Sequence, residues 1–170
     1  MAITQLEAWV FLPFILPICF YVAFTDLREM RITNQSVMAV GIIFVVLGLF
    51  AMPWDVYLWR LAQLVIVLVI GFVLNAAGAV GAGDAKFAAA AAPYVAAGDG
   101  FHVAVLFSAT LLAAVTTHRV ARLTPLRNVT PDWISWIKGK DFPMGLALGG
   151  TLGIYLIEGA LGRSLLSFVL

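Results

Sequence analysis

The sequence predicts an all-α polytopic membrane protein of about six transmembrane helices, with its N-terminus outside. Three observations predict it. Of 170 residues, 63% are hydrophobic and only 11% charged, at a mean hydropathy of +1.04, whereas a water-soluble domain carries about 25% charge. The apolar residues gather into runs near the roughly 20 residues that cross a bilayer. The basic residues gather on alternate connections between those runs. The length fits one domain spanning residues 1–170, and a net charge of +1 points to no nucleic-acid partner. Cys19 is the only cysteine, which excludes a disulfide framework or a paired-cysteine zinc site.

The first run covers about residues 8–24 and contains Pro13 and Pro17, each a candidate kink. No basic segment precedes this long run, so residues 1–9 do not read as a cleavable signal. The second run covers about residues 37–52 and stops at Pro53-Trp54-Asp55. The third spans about 56–77. The fourth starts at Gly83 or Asp84, passes through the alanines 88–92 and is interrupted by Pro93, short for a full crossing. The turn Gly98-Asp99-Gly100 separates it from a fifth run over about 101–116, and a sixth covers about 144–160, with a continuation toward the C-terminus. Between the last two lies the only sizeable polar stretch, 117–142, which reads as a cytoplasmic loop with an interfacial helix. Its Trp133 and Trp136 suit the headgroup level beside Lys138 and Lys140.

Cytoplasmic connections collect Lys and Arg. With the N-terminus outside, the inner segments hold Arg28, Arg31, Lys86, Arg119, Arg122, Arg127, Lys138 and Lys140, and only Arg60 and Arg163 lie outside. Asp26, ending the first helix, and Asp84, opening the fourth, then share the cytoplasmic edge. An ionisable group at the rim of a bilayer core costs about 2–3 kcal/mol, so function is the default reading for it. Two carboxyls at one depth can share a proton and activate water for hydrolysis. The field of the helix ends favours charge on Asp84, at a helix start, over Asp26, at a helix end.

The residues around both acids resemble the type IV prepilin peptidases. Asp26-Leu27-Arg28-Glu29-Met30-Arg31-Ile32-Thr33-Asn34 resembles that family's Asp-x-(Arg/Lys)-x-x-(Arg/Lys)-Ile-Pro-Asn segment, with Thr33 where proline is usual. Gly81-Ala82-Gly83-Asp84-Ala85-Lys86 matches its Gly-x-Gly-Asp-x-Lys signature in full, and Phe142-Pro143-Met144-Gly145 resembles the segment opening the last helix. The resemblance implies an aspartic endopeptidase of the GxGD class in the bacterial inner membrane, with Asp26 and Asp84 as catalytic dyad facing the cytoplasm. It implies no cofactor and no metal. The chain has neither room nor paired cysteines for the extra region associated with N-methylation in larger members, and so resembles the short Flp/Tad-type enzymes. The implied partners are membrane lipid and a Flp-type prepilin, with a short basic leader cut after a glycine and a glutamate a few residues into the mature pilin. Gly81, Gly83, Lys86, Pro143 and Gly145 are then supporting residues of the site, and Arg28, Arg31 and Asn34 candidate substrate contacts.

Plainer roles compete for several of these residues. Asp26 can pair with Arg28 among headgroups, Asp84 can be a helix N-cap, and Asn34 can cap the second helix. Pro143 suits a helix start. Gly145, Gly149 and Gly153 recur every four residues, as a helix-packing face does. Asn75 is placed to bridge helices near the site. Asp55 and Asp99 read as outer turn residues, and Glu158 as an outer-interface residue near Arg163. His102 and His118 lack a ligand cluster. Two other functions remain in view: a GxGD protease with a different substrate, such as a presenilin-like or preflagellin-type enzyme, and a small proton- or cation-coupled transporter using the same aspartates.

Overall fold

The computed structural model describes residues 1–138 and 141–164. Seven α-helices follow in order: α1 (Gln5–Glu29), α2 (Asn34–Ala51), α3 (Trp54–Ala76), α4 (Ala82–Ala91), α5 (Gly100–Leu123), α6 (Ile134–Ile137) and α7 (Met144–Leu161). Short 3₁₀ turns at Ala92–Tyr94 and Ala97–Asp99 join α4 to α5. Five helices are long and apolar enough to cross a membrane: α1, α2, α3, α5 with the turn before it, and α7. The protein is therefore a multi-pass membrane protein. The expected sixth crossing is the exception. At 10 residues, α4 is about 15 Å long, half a bilayer core. Lys140 and any continuation of α7 past residue 164 lie outside the described residues.

Helix ends follow local chemistry. Thr4 and Glu7 close α1 with a capping box, in which the Glu7 N–H donates to Thr4 Oγ1 at 3.2 Å and the Thr4 N–H to Glu7 Oε2 at 3.4 Å. α1 runs unbroken through Pro13 and Pro17 and stops at Met30, whose left-handed backbone (φ 53°) returns its N–H to the Asp26 carbonyl. Thr33, not Asn34, caps α2 by accepting the Ser36 N–H. The residue standing in place of the family's proline thus takes the capping role expected of its neighbour. Asn75 Nδ2 donates to the Val80 carbonyl at 2.8 Å, so this residue braces the α3–α4 turn locally instead of bridging distant helices.

The first and last long helices approach most closely. A Cβ on Gly149 would fall 2.8 Å from the Cys19 carbonyl oxygen, and one on Gly159 2.9 Å from the Ala8 Cβ. Gly153 faces Leu16. The four-residue glycine spacing is the packing face it was expected to be. Beside it, Phe11, Phe44, Tyr57 and Tyr94 stack edge-to-face and face-to-face between α1, α2 and α3.

The irregular stretch after α4 explains a buried polar layer at the end of the bundle away from Asp26. Non-helical backbone at membrane depth persists only where protein groups satisfy it. Arg60 Nη1 donates to the Pro93 carbonyl at 2.9 Å and Nη2 pairs with Glu7 at 3.4 Å. The Tyr155 hydroxyl accepts the Ala96 N–H at 3.0 Å and donates to Asp99 at 2.7 Å, and Asp99 also receives the N–H groups of Ala2 and Ile3. Asp99 is therefore a buried acceptor and not an exposed turn residue. Glu158 likewise is only 1% exposed and meets His102 Nε2 at 2.6 Å, where an interfacial place near Arg163 was expected. Arg60 leaves the headgroups for the same interior. At 1.5 Å per residue, Glu7 and Asp26 stand about 28 Å apart along α1, close to a hydrocarbon thickness of about 30 Å.

Gly149→Ala is expected to lower stability by about 1–3 kcal/mol, because its Cβ meets backbone that cannot step aside. Gly150→Ala, whose Cβ would meet nothing within 4 Å, should be neutral or slightly stabilising. Unfolding midpoints in detergent micelles compare the two, and equal midpoints would contradict this account of the packing.

Candidate active site

Asp26 lies in the last turn of α1 and is 5% exposed. Its Oδ2 accepts the Gly145 N–H at 2.6 Å. That N–H belongs to the first turn of α7, where amides have no partner within their own helix. The α1 carboxyl thus fills a vacancy at the start of α7. Arg28 is not its partner; it turns outward to Glu29 at 3.8 Å. Only glycine fits at 145, since a Cβ there would lie 2.8 Å from the Asp26 Cβ and 3.0 Å from Oδ2. Pro143, fully buried, is the N-cap residue that turns the chain into α7.

Asp84 is half-buried in the first turn of α4. Its position is the third of the helix and Gly81 is the N-cap, which corrects the capping role considered for Asp84. The carboxyl instead folds back beside Gly81 at the start of the helix. A Cβ on Gly81 would stand 2.6 Å from Asp84 Oδ2. Gly83 is less constrained, because its Cβ would meet Ile32 at 3.4 Å. Each acid therefore lies against a glycine at a helix start, Asp26 at Gly145 and Asp84 at Gly81. The helix-end field that was expected to favour charge on Asp84 alone reaches Asp26 as well, through α7.

The two carboxyls line one open cleft of about 460 Å³, near enough for their charges to repel. Arg31, Asn34 and Lys86 line it too, and Lys86 Nζ donates to Asn34 Oδ1 at 3.3 Å, tying α4 to the start of α2. Arg28 does not line it. The cleft also takes Lys138, Asp141, Phe142 and Met144, which the sequence reading had not placed there. The expected loop from 117 begins later, because α5 continues to Leu123, and the described stretch after it folds back to set Trp133 on Phe24 at the end of α1. Trp133 packs on Phe24, Trp136 stacks on Trp133 and on buried His118, and Phe142 meets the edge of that histidine. The tryptophans are thus half-buried packing residues as well as members of a polar loop. A third acid directly before Phe142-Pro143-Met144-Gly145 was the available signal for Asp141. Among the described residues no group of three His, Cys, Asp or Glu side chains is placed to hold a metal ion.

Residues 13–118 match the type IV leader peptidase family. The chain belongs to this family. The matched stretch contains Asp26, the Asp26–Asn34 segment and the whole Gly81–Lys86 turn, while α7 reaches the cleft from beyond it. No curated protein and no solved structure matches the chain. Family membership makes this multi-pass membrane protein a peptidase of the type IV leader class, with prepilins as the general kind of substrate.

In this leader peptidase, Gly145→Ala must push the Asp26 carboxyl aside. If Asp26 carries the chemistry, as proposed below, a displacement near 1 Å costs about 100-fold in rate, and a loss of that order is expected at unchanged protein level in membranes. Gly83→Ala should stay within a few-fold of wild type. Leader cleavage timed in membranes separates the two, and matched losses would refute the steric argument.

Proposed function

We propose that Asp26 and Asp84 form the catalytic dyad of an aspartic endopeptidase that removes the short basic leader of Flp-type prepilins, at the cytoplasmic edge of the bacterial inner membrane. The observation that carries this reading is the meeting of the two acids in one cleft, from the end of α1 and the start of α4, each set against a glycine at a helix start. Like charges this close do not both ionise comfortably, so the pair holds one proton and titrates as a unit. The ionised member takes a proton from water as its oxygen attacks the scissile carbonyl, and the protonated member donates to the carbonyl oxygen. Collapse of the tetrahedral intermediate breaks the C–N bond, and a dyad proton goes to the leaving amine.

The basic residues of the connections favour the cytoplasmic side for this cleft. Arg31, exposed at the rim, is a partner of the right charge for the glutamate near the start of the mature pilin. The absence of paired cysteines supports the short Flp/Tad type. Transport fits less well: its carboxylates belong near mid-membrane, whereas these occupy a last and a first helical turn.

Asp26→Asn and Asp84→Asn should each lower leader cleavage by at least about 100-fold, with both variants still inserted in the membrane. Co-expression with a Flp-type prepilin and a gel shift for leader loss make the test; normal cleavage by either single variant would overturn the dyad. Because activity needs one proton on the pair, the wild-type rate should fall on both the acid and the alkaline side of an optimum. A rate flat from about pH 4 to about pH 9 would contradict a shared-proton mechanism.

A further inference from the structure

Beside the polar cleft runs a second cavity of opposite chemistry. It is an apolar groove of about 470 Å³ between α3, α4, α5 and α7, with Ile70 and Leu74 on one wall, Phe107 and Leu148 opposite, and Ala88 and Ala91 on its floor. Two hydroxyl-bearing residues on its lining are already engaged. The Tyr155 hydroxyl donates to Asp99, and Thr151 donates to the Ala147 carbonyl. The groove therefore presents hydrocarbon, except at one end. There, Asp84 and Met144 line both the groove and the polar cleft. Asp84, Ala88 and Ala92 recur at four-residue spacing, so one face of α4 carries the acid at its start and the groove floor along the rest of its length.

We propose that this groove seats the apolar helix of the substrate immediately beyond the scissile bond; the assignment rests on the dyad reading above. A ligand lying across both cavities needs a polar extended part in the cleft, a junction at Asp84 and a hydrophobic helix in the groove. A polypeptide that passes from a charged leader into a membrane helix has that order. The small side chains of α4, Ala88 and Ala91, leave depth between α3, α5 and α7 for such a helix. One face of a docked helix meets it through anchors at i, i+3, i+4 and i+7. Seating the helix sets which peptide bond reaches Asp84, so the groove determines the position of the cut as well as affinity.

The test uses a Cys19→Ala parent carrying a single new cysteine, Ala88→Cys or Ala91→Cys in the groove or Leu112→Cys on the exposed face of α5. Each is oxidised in membranes with a Flp-type prepilin bearing one cysteine in the first turns of its apolar helix. A disulfide adduct forms only when the two backbones come within about 7 Å. Adducts at 88 and 91 but not at 112 are expected. Ala88→Trp, which fills the floor, should slow cleavage of the full prepilin by at least tenfold. A parent that cleaves the prepilin, with no groove adducts or with equal adducts at 112, overturns the proposal and leaves the groove to lipid chains. A parent that leaves the prepilin uncut while groove adducts still form overturns the activity reading and sustains the groove assignment.

Discussion

The hydrogen bond from the Gly145 amide to Asp26 is the contact on which the site depends. It requires α1 and α7 to approach until backbone nearly touches side chain, and glycines at 145, 149, 153 and 159 make that approach possible along the length of the interface. In lipid there is little hydrophobic force to drive helices together, so close van der Waals packing of this kind supplies the association. The same seam thus holds the bundle together and positions one acid. A side chain added at 145 meets the carboxyl directly, and one at 149 meets the α1 backbone less than two turns before it.

The second acid is positioned by a different device. α4 is too short to cross, and its shortness has a structural cost at the opposite end of the molecule, where residues 92–99 carry backbone groups that their short 3₁₀ turns satisfy only in part. Arg60 and Tyr155 meet that need, and their own charge and polarity are then balanced by Glu7 and Asp99. Buried ion pairs are weak sources of net stability, but removing one partner is expensive because the other remains buried. The polar layer is best understood as the consequence of ending α4 early. The turn from α3, braced by Asn75, sets the start of α4 and Asp84 at the cleft that Asp26 also lines.

Much of this was legible in the sequence. Run lengths located the long crossings, the basic residues put Asp26 and Asp84 at one depth, and the spacing of Gly145, Gly149 and Gly153 marked a packing face. What was not legible depends on partners remote in the chain. Glu7 and Arg60 are 53 residues apart, and His102 and Glu158 are 56 apart. Read singly, each charge in an apolar stretch looks interfacial, because only a partner makes burial tolerable. The shift of the α2 cap from Asn34 to Thr33 has a local cause. Both side chains can cap, and a one-residue difference in where the helix starts decides between them. Asp141 was missed because the 117–142 segment reads as a polar loop until Trp133 and Trp136 dock it onto Phe24 and His118.

That docked loop completes the site. α1, α2 and α4 provide the two acids together with Arg31, Asn34 and Lys86; the returning segment adds Lys138, Asp141 and Phe142. An extended peptide entering from the polar edge then passes between charged groups of both signs before it reaches the two acids, and meets hydrocarbon directly beyond them. The change from polar to apolar lining occurs within one turn of α4, at the residue that also carries the carboxyl. A hydrolase that cuts at the boundary between a leader and a membrane helix must recognise that boundary more than any particular side chain. Placing an acid at the enzyme's own boundary is sufficient physical means to do it.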